Sequence, residues 1–371
     1  HGAAGRLDDA VGAFLDADAG GAVHIGQEGI ALLGGAGVSY DTLGGVQPNP
    51  HLGLAREGVK KAIAMDAQLI LAIGGGSVID TAKAIAHGRA NPDIDIWDFW
   101  LGKKKVEKST PVGVILTIPA SGSETSDSAV LTNAESGEKR GLNTDLNRPV
   151  FAILDPVLAA TLPNHQVACG VSDILMHTMD RYFNPVTDND LTDELAEALL
   201  RVVLRNGPAA VQDPHDETAM SEIMWAGSLS HNGLTGLGGN KDFAPHQLGH
   251  ALSEKFDVYH GDSLTAVWSS WARSVMDESP ARFARFARNV WHVEEADDTA
   301  AALAGIAKQE SFFRSIGMPV CLGELSCGKQ DEAGLADLAS RCSYGKTRTI
   351  GTFRVLDYEK ILAIYRRANE A

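Results

Sequence analysis

An aspartate and several histidines at helical spacing are the residues of this sequence best suited to do chemistry. Asp173 and His177 stand four residues apart, His246 and His250 repeat that spacing, and His260 follows a few residues later. Side chains four residues apart project from one face of a helix. One carboxylate and several imidazoles on facing helices could therefore bind a divalent metal. Ligands of nitrogen and oxygen without thiolate suit Zn²⁺ or Fe(II), and an open coordination position would leave room for a substrate oxygen.

These histidines have two other interpretations, an ordinary structural role and a metallopeptidase site. A single histidine is usually a satisfied core or surface residue, and we assign that role to the remaining ones, including His165 and His231. A His-x-x-x-His helix is also typical of metallopeptidases, which need Glu directly after the first His as a general base. Gln247 occupies that position and cannot usefully accept a proton, so hydrolysis of that type lacks its base.

A strand, a glycine turn and a helix follow one another around residue 75. Leu69 to Ile73 is a short apolar run, Gly74-Gly75-Gly76-Ser77 follows it, and Val78 to Ala84 has helical spacing. Glycines let the backbone approach a ligand closely, and the unpaired amides at a helix start attract phosphate oxygens. The turn matches neither the GxGxxG fingerprint nor a P-loop, and tight glycine turns also occur without ligands.

A second polar turn strengthens the case for a nucleotide. Thr117 to Thr125 follows another apolar run and is rich in hydroxyl groups and glycine. Two such turns at one edge of a parallel sheet favour a bound nucleotide over a bare turn.

The elements that would position these residues differ between the two halves of the chain. From Ala55 to Leu158, strand-like and helix-like runs alternate, which predicts a parallel sheet with helical connections. After Asn164 the pattern changes to long amphipathic stretches. We predict an α/β dinucleotide-binding domain with a parallel sheet at residues 1–158 and an all-α metal-binding domain at residues 159–371. The turn and helix-start signals between Asp155 and Asn164 place the border.

Composition narrows the possible partners. The 371 residues suit two domains, and 44% hydrophobic with 22% charged residues is typical of a folded globular protein. A net charge of -16 repels phosphate backbones and anionic membranes, and the largest basic cluster is Lys103 to Lys105, so we expect no nucleic acid and no membrane partner. His1 to Asp18 lacks a basic segment followed by an apolar one, which predicts a cytoplasmic protein. The four cysteines form no paired CxxC units, and we assign them no chemistry.

Taken in order, these segments resemble the iron-containing, group III, alcohol dehydrogenase family, most closely its branch of NADP-linked butanol dehydrogenases and broad-range aldehyde reductases. The resemblance runs from about Gly44 to Arg367. It implies hydride transfer between a nicotinamide cofactor and a short-chain aldehyde or primary alcohol, in a cleft between the two domains, with the substrate oxygen at Fe(II) or Zn. The motifs that carry it are Gly44-Gly45-Val46-Gln47-Pro48-Asn49-Pro50, Gly74 to Asp80, Thr117 to Thr125, Leu154-Asp155-Pro156, Asp173 with His177, Met224-Trp225-Ala226, Asn232-Gly233-Leu234 and His246 through Gly261.

The resemblance also assigns roles to individual residues. It implies that the metal ligands are Asp173, His177, His246 and His260. His250 then falls beside the nicotinamide, as our candidate for proton relay or cofactor positioning. The cofactor-binding residues that it implies are Gly75, Gly76 and Ser77 on the pyrophosphate, Asp80 near that turn, Thr117, Ser121 and Ser123 along the inner half of the cofactor, and Lys139.

The N-terminal region departs from the family pattern and bears on cofactor choice. Gly34 to Gly37 lies too close to Gly44 for the helix and strand that the family places between them. The candidate turn Gly34 to Ser39 contains no acid that would bind the ribose hydroxyls of NAD and repel a 2′-phosphate. We therefore expect a preference for NADP, with NAD as the alternative. We also expect a homodimer.

Three rival functions are considered. A polyol dehydrogenase of the glycerol type or a lyase like dehydroquinate synthase would share the glycine turn, but the long agreement from His246 to Gly261 favours the alcohol dehydrogenase branch. A metal- or nucleotide-binding module without turnover is the rival of a different class. Every ligand that the resemblance implies is present, which favours an enzyme.

Overall fold

The computed structural model describes residues 11–15, 39–186 and 188–370 and divides the chain into two units, His1–Leu162 and Pro163–Ala371. The first unit contains a five-stranded sheet in the order β2-β1-β3-β4-β7, in which all neighbouring strands run parallel. A separate antiparallel pair joins β5 and β6. The strands are β1 Val11–Leu15, β2 Tyr40–Leu43, β3 Leu69–Gly74, β4 Val112–Leu116, β5 Ser128–Asn133, β6 Glu138–Asn143 and β7 Phe151–Leu154.

The helices of this unit cover the apolar residues of the sheet. They are α1 Leu52–Ala64, α2 Gly76–Ala90 and the short α3 Trp97–Trp100. The central strand β3 is apolar because both of its faces are buried, Ile70 and Ala72 on one side and Leu71 and Ile73 on the other. Helix α2 connects β3 to β4 and buries Val78 and Ile79 in the same core. The register pairs Gly74 with Leu116, so the turns after these two strands begin at the same sheet edge.

The second unit consists mainly of helices, whose starts follow from capping residues. Asp216, Asp297 and Asp331 each accept a hydrogen bond from the backbone N–H three residues further on, which satisfies a free amide at the helix start. Buried aromatic rings fill the interior, with Phe183 and Phe283 stacked at a centroid distance of 4.3 Å. The helices are α4 Asn164–Tyr182, α5 Asp190–Gln212, α6 Glu217–His231, α7 Ala244–Phe256, α8 His260–Val275, α9 Pro280–Trp291, α10 Asp298–Ser315, α11 Glu332–Cys342 and α12 Tyr358–Glu370.

The predicted fold class is confirmed, with one local correction. The first unit contains the parallel sheet and the second is mostly helical, and the change of unit at Leu162 lies just after the predicted border at residue 158. The correction concerns the charged residues Glu138 to Arg140, which show no strand-like apolar pattern in the sequence but begin strand β6 of a hairpin. Gly34 to Val38 lie outside the described residues. Among the described helices, none has the length and apolarity needed to span a bilayer.

Candidate metal and cofactor sites

Three helices of the second unit bring the predicted metal ligands together. Asp173 and His177 lie one turn apart on α4, His246 lies on α7, and His260 is the first residue of α8. The Nε2 atoms of His177, His246 and His260 lie 3.4, 3.5 and 3.6 Å from Asp173 Oδ1. Asp173, His246 and His260 offer ligand atoms that all lie within 4.8 Å of one another, and His177 joins them through its contact with Asp173 Oδ1.

The spacing of these atoms fits a bound metal ion. Four ligands at about 2.1 Å from an ion stand about 3.4 Å apart in a tetrahedral arrangement. Asp173 Oδ1 and His246 Nε2 are buried and make no hydrogen bond within the described part of the chain. Unpartnered buried polar atoms are costly, and a cation at the shared point would satisfy both. The side chains of Asp173, His177 and His246 are almost fully buried, whereas that of His260 is 38% exposed.

The two buried imidazoles have opposite electrostatic environments. For His177, burial and the neighbouring His231 and His246 hold the pKa well below its usual value. For His246, burial lowers the pKa, but the carboxylates of Asp180 and Asp173 outweigh it and raise the pKa to about 9. Asp180 therefore adds a second carboxylate beside His246, in addition to the Asp173 carboxylate that all three imidazoles contact.

Asp180 is a functional candidate that the sequence analysis missed. It lies on α4, fully buried, and its Oδ2 is hydrogen-bonded to His246 Nδ1. A carboxylate on the second ring nitrogen of a metal-binding histidine fixes the tautomer and directs Nε2 at the metal. Asp173, His177 and Asp180 follow the i, i+4, i+7 pattern of one helix face, and that periodicity could have identified Asp180.

His250 lies beside this cluster, one turn after His246 on α7. Its ring stacks on that of His260 with centroids 5.3 Å apart and an angle of 28° between the planes. The ring of His246 lies 6.2 Å away. Spacing alone left His250 among the possible ligands. The structure puts its imidazole next to the most exposed residue of the cluster.

The two polar turns of the first unit meet at the carboxyl edge of the sheet. The backbone N–H of Thr117 donates to Gly74 O at 3.2 Å. A Cβ atom built on Gly75 would lie 3.1 Å from Ile118, and one on Gly76 would lie 2.5 Å from Ser121 Oγ. The second turn therefore packs closely against both glycines and leaves little space for a side chain at either position. Gly75 and Gly76 start α2, whose first amides point out of this edge.

A hydrogen bond between Asp80 on α2 and Ser123 in the second turn holds these two segments together. Ser123 Oγ donates to Asp80 Oδ1 at 2.6 Å, and the backbone N–H of Val130 donates to Oδ2 at 2.8 Å. Burial raises the pKa of the Asp80 carboxyl, although Lys83, Ser123 and Val130 oppose the shift. Since both carboxylate oxygens accept hydrogen bonds from the chain, Asp80 fixes the second turn to α2.

Lys83, a buried lysine on α2, also holds the second turn, and the sequence analysis did not identify it. Lys83 Nζ donates to the backbone oxygens of Ser123 and Ser128 at 2.8 and 2.7 Å. Burial lowers its pKa to about 8, despite the nearby charge of Asp80. Its acceptors lie at least 40 residues further along the chain, so no local signal separates Lys83 from an exposed helical lysine.

The remaining predicted cofactor residues occupy different positions. Ser77 lies in the first turn of α2, where its carbonyl accepts from the Thr81 hydroxyl at 2.8 Å. Lys139 lies on β6, and its Nζ donates to Asn49 Oδ1 at 2.8 Å. Asn49 has φ 61° and belongs to the Pro-Asn-Pro segment noted above. The β5–β6 hairpin and the segment around Asn49 are thus joined by the hydrogen bond between these two side chains.

Comparison with known proteins decides the family. The model of iron-containing alcohol dehydrogenase matches residues 15–156, and that of the C-terminal domain of the Fe-containing alcohol dehydrogenase family matches residues 166–369. This chain belongs to the iron-containing alcohol dehydrogenase family. It is therefore an oxidoreductase that uses a nicotinamide cofactor and a metal, and the resemblance found in the sequence is confirmed.

Individual members of the family are similar along most of the chain. NADH-dependent butanol dehydrogenase A of Clostridium acetobutylicum is 35% identical over 340 residues, which cover 91% of this chain and 86% of that protein. The NADPH-dependent aldehyde reductase YqhD of Escherichia coli is 34% identical over 290 residues, covering 78% of this chain and 75% of the reductase. The crystal structure of NADH-dependent butanol dehydrogenase A from Thermotoga maritima superposes with a TM-score of 0.89 at 29% identity, covering 97% of this chain and 91% of that one.

The glycine turn of this family member can be tested by adding a side chain. We expect Gly75→Val to weaken cofactor binding about tenfold or more, because a branched side chain would press on Ile118 and occupy space that a phosphate needs. Isothermal calorimetry with the nicotinamide cofactor measures the change. Gly53→Val is the matched control, since a Cβ at that helical position meets no atom within 4 Å. Unchanged affinity in folded Gly75→Val protein would remove this turn from the cofactor site.

Proposed function

We propose that this protein interconverts short-chain aldehydes and primary alcohols by hydride transfer with NAD(P)(H). Asp173, His177, His246 and His260 would hold the metal, Fe(II) or Zn. The observation that carries the proposal is the convergence of three imidazole Nε2 atoms on the buried Asp173 Oδ1, within 3.6 Å. Similarity to proteins named butanol dehydrogenase and aldehyde reductase supports the substrate class.

The chain's own residues would prepare the substrate site. When bound, the metal supplies Lewis-acid polarisation of the substrate oxygen and the nicotinamide supplies the hydride chemistry. Asp173, His177 and His246 are buried and rigidly packed, so they would fix the position of the charge. The partial exposure of His260 leaves that side of the cluster accessible. A small substrate would therefore approach past the His260 ring.

His250 would supply the proton that accompanies hydride transfer. Reduction of an aldehyde to an alcohol requires one proton at the substrate oxygen. The imidazole of His250 stacks on His260 at the accessible side of the cluster and is itself partly exposed. An imidazole at this position can take up a proton from solvent and hold it near the substrate.

The cofactor would bind at the carboxyl edge of the parallel sheet. The free amides at the start of α2 and the close backbone at Gly75 and Gly76 would receive the pyrophosphate. Ser77, Thr117 and Ser121 would supply hydroxyl groups around it. Asp80 and Ser123 would act indirectly, because their hydrogen bond holds the second turn in place. Lys139 on β6 would contribute a positive charge.

A screen of substrates tests the proposed activity. After metal analysis of the purified protein, nicotinamide absorbance would be followed with short aldehydes and with primary alcohols, using each cofactor. We expect oxidation of the reduced cofactor by aldehydes that depends on the metal and is lost after chelation. Metal-loaded protein that binds cofactor but turns over no aldehyde or alcohol would contradict the proposal. Sedimentation velocity of the same sample tests the homodimer that we also propose.

Cofactor preference is a separate prediction. The segment Gly34 to Ser39, for which the sequence predicts a turn, contains no acid to repel a 2′-phosphate, so we propose that NADPH is favoured over NADH. The relatives described above include an NADH-dependent butanol dehydrogenase and an NADPH-dependent aldehyde reductase. The ratio of kcat/KM values for the two cofactors with one short aldehyde measures the preference. A clear advantage of NADH would refute it.

A further inference from the structure

A second cluster of metal-binding side chains lies near the starts of α4 and α8. His165 and Cys169 stand one turn apart on α4, and Asp262 lies in the first turn of α8. His165 Nε2 lies 3.1 Å from Asp262 Oδ2, and Cys169 Sγ lies 3.7 Å from His165 Nε2 and 3.9 Å from Asp262 Oδ1. His165 Nε2, Cys169 Sγ and one Asp262 carboxylate oxygen all lie within 4.8 Å of one another.

These separations are close to those around a tetrahedral zinc ion. With Zn–N and Zn–O bonds near 2.0 Å and Zn–S near 2.3 Å, nitrogen and oxygen stand about 3.3 Å apart and sulfur about 3.5 Å from each. The distances from His165 Nε2 to Asp262 Oδ2 and to Cys169 Sγ lie within about 0.2 Å of these values, and the sulfur contacts the other carboxylate oxygen, Oδ1. A set of imidazole, thiol and carboxylate also suits zinc better than calcium or magnesium, which prefer oxygen alone.

The backbone holds the three side chains in this arrangement. A Cβ atom on Gly261 would lie 2.6 Å from the Cα of Cys169, so the glycine allows α8 to touch α4 at this point. The ring of Tyr259 packs edge-on against His165 at a centroid distance of 5.3 Å. Asp262 is carried by the same turn as Gly261. The ligand atoms are therefore positioned by helix contact and not by flexible loops.

A reactive thiol is the main alternative use of cysteine, histidine and aspartate together. Nucleophilic cysteines need a lowered pKa to form thiolate near neutral pH. Burial and the carboxylates of Asp262 and Asp173 instead hold the pKa of the Cys169 thiol well above its usual range. Without a cation the thiol is inert, whereas a divalent ion at the centre of the cluster would stabilise the thiolate and both neighbouring charges.

We propose that His165, Cys169 and Asp262 form a second zinc site, distinct from the Asp173 cluster. With three protein ligands, the fourth position would be taken by water, since the His165 side chain is 43% exposed. An ion there would link the first turns of α4 and α8, the helices that also carry Asp173 and His260. The site would thus stabilise the framework of the proposed catalytic centre from its solvent side.

Cobalt substitution can distinguish the two sites by their ligands. The Asp173 cluster contains no thiol, so absorption from thiolate-to-cobalt charge transfer would report the second site alone. We expect metal-free full-length protein to bind two equivalents of Co²⁺, one of which produces this near-ultraviolet band, and we expect Zn²⁺ to displace it. Cys169→Ser should lose the band and one equivalent while keeping the other. Serine keeps the size of the side chain beside Gly261.

Two further variants make the result specific. Cys327→Ser is the matched control, because Cys327 is a partly exposed free cysteine outside both clusters, and it should retain the band. His246→Ala should lose the equivalent at the Asp173 cluster and keep the thiolate band, so failure of one site is separable from failure of the other. Cobalt binding to the wild type without any thiolate band, or a band that persists in Cys169→Ser, would overturn the second site.

Discussion

Replacement of His260 by alanine is expected to remove metal binding and activity while leaving cofactor binding largely intact. His260 Nε2 is one of three imidazole nitrogens around Asp173 Oδ1. Loss of an outer hydrogen-bond partner alone costs about 10–100-fold in metal affinity or activity, so loss of a ligand should cost more than about 100-fold. The glycine turn belongs to the other unit of the chain, and its affinity for the nicotinamide cofactor should change little.

Three measurements on one preparation check this expectation. Metal content after dialysis reports occupancy, nicotinamide absorbance with a short aldehyde reports turnover, and calorimetry reports cofactor binding. His215→Ala is the matched control, since His215 is an exposed histidine in the connection between α5 and α6. Full metal occupancy in His260→Ala would exclude His260 as a ligand. Loss of cofactor binding together with metal would indicate a folding defect, which a thermal melt would reveal.

The metal cluster could be predicted because its signal is partly local. Asp173 with His177 and His246 with His250 each show the four-residue spacing of one helix face. That spacing could not distinguish His250 from the other three histidines, since the distinction depends on how α7 meets α4 and α8. The family resemblance implies the distinction, which stays a prediction; the Nε2 atoms of His177, His246 and His260 lie within 3.6 Å of Asp173 Oδ1.

Residues whose partners lie far along the chain were predicted less well. Lys83 has the appearance of an ordinary helical lysine, yet its acceptors come from the segment between β4 and β5 and from Ser128. The β5–β6 hairpin was missed because the charged residues Glu138 to Arg140 concealed the strand, although buried Ala129 and Leu131 alternate with more exposed neighbours. His165 and Cys169 carry no local signal of a metal site, because their partner Asp262 lies on another helix.

Among the residues that the sequence analysis missed, Asp180 is the one whose replacement is expected to have the largest effect on function. Its carboxylate is buried beside His246 and holds the ring nitrogen opposite the one that faces Asp173. Asparagine at this position keeps an oxygen that can accept from Nδ1 but removes the negative charge, whereas alanine removes both. We therefore expect metal affinity or activity to fall about 10–100-fold in Asp180→Asn and further in Asp180→Ala.

A chelator competition separates this positioning role from a merely structural one. Metal affinity measured in this way should decrease in the order wild type, Asp180→Asn, Asp180→Ala, while the cofactor affinity of all three proteins stays equal. Asp297→Asn serves as the control, because Asp297 caps α10 and asparagine caps a helix equally well. If both Asp180 variants fold and bind metal as tightly as the wild type, the carboxylate does not position His246. A graded loss would show that the charge and the hydrogen bond of Asp180 each contribute, since only the hydrogen bond survives in asparagine.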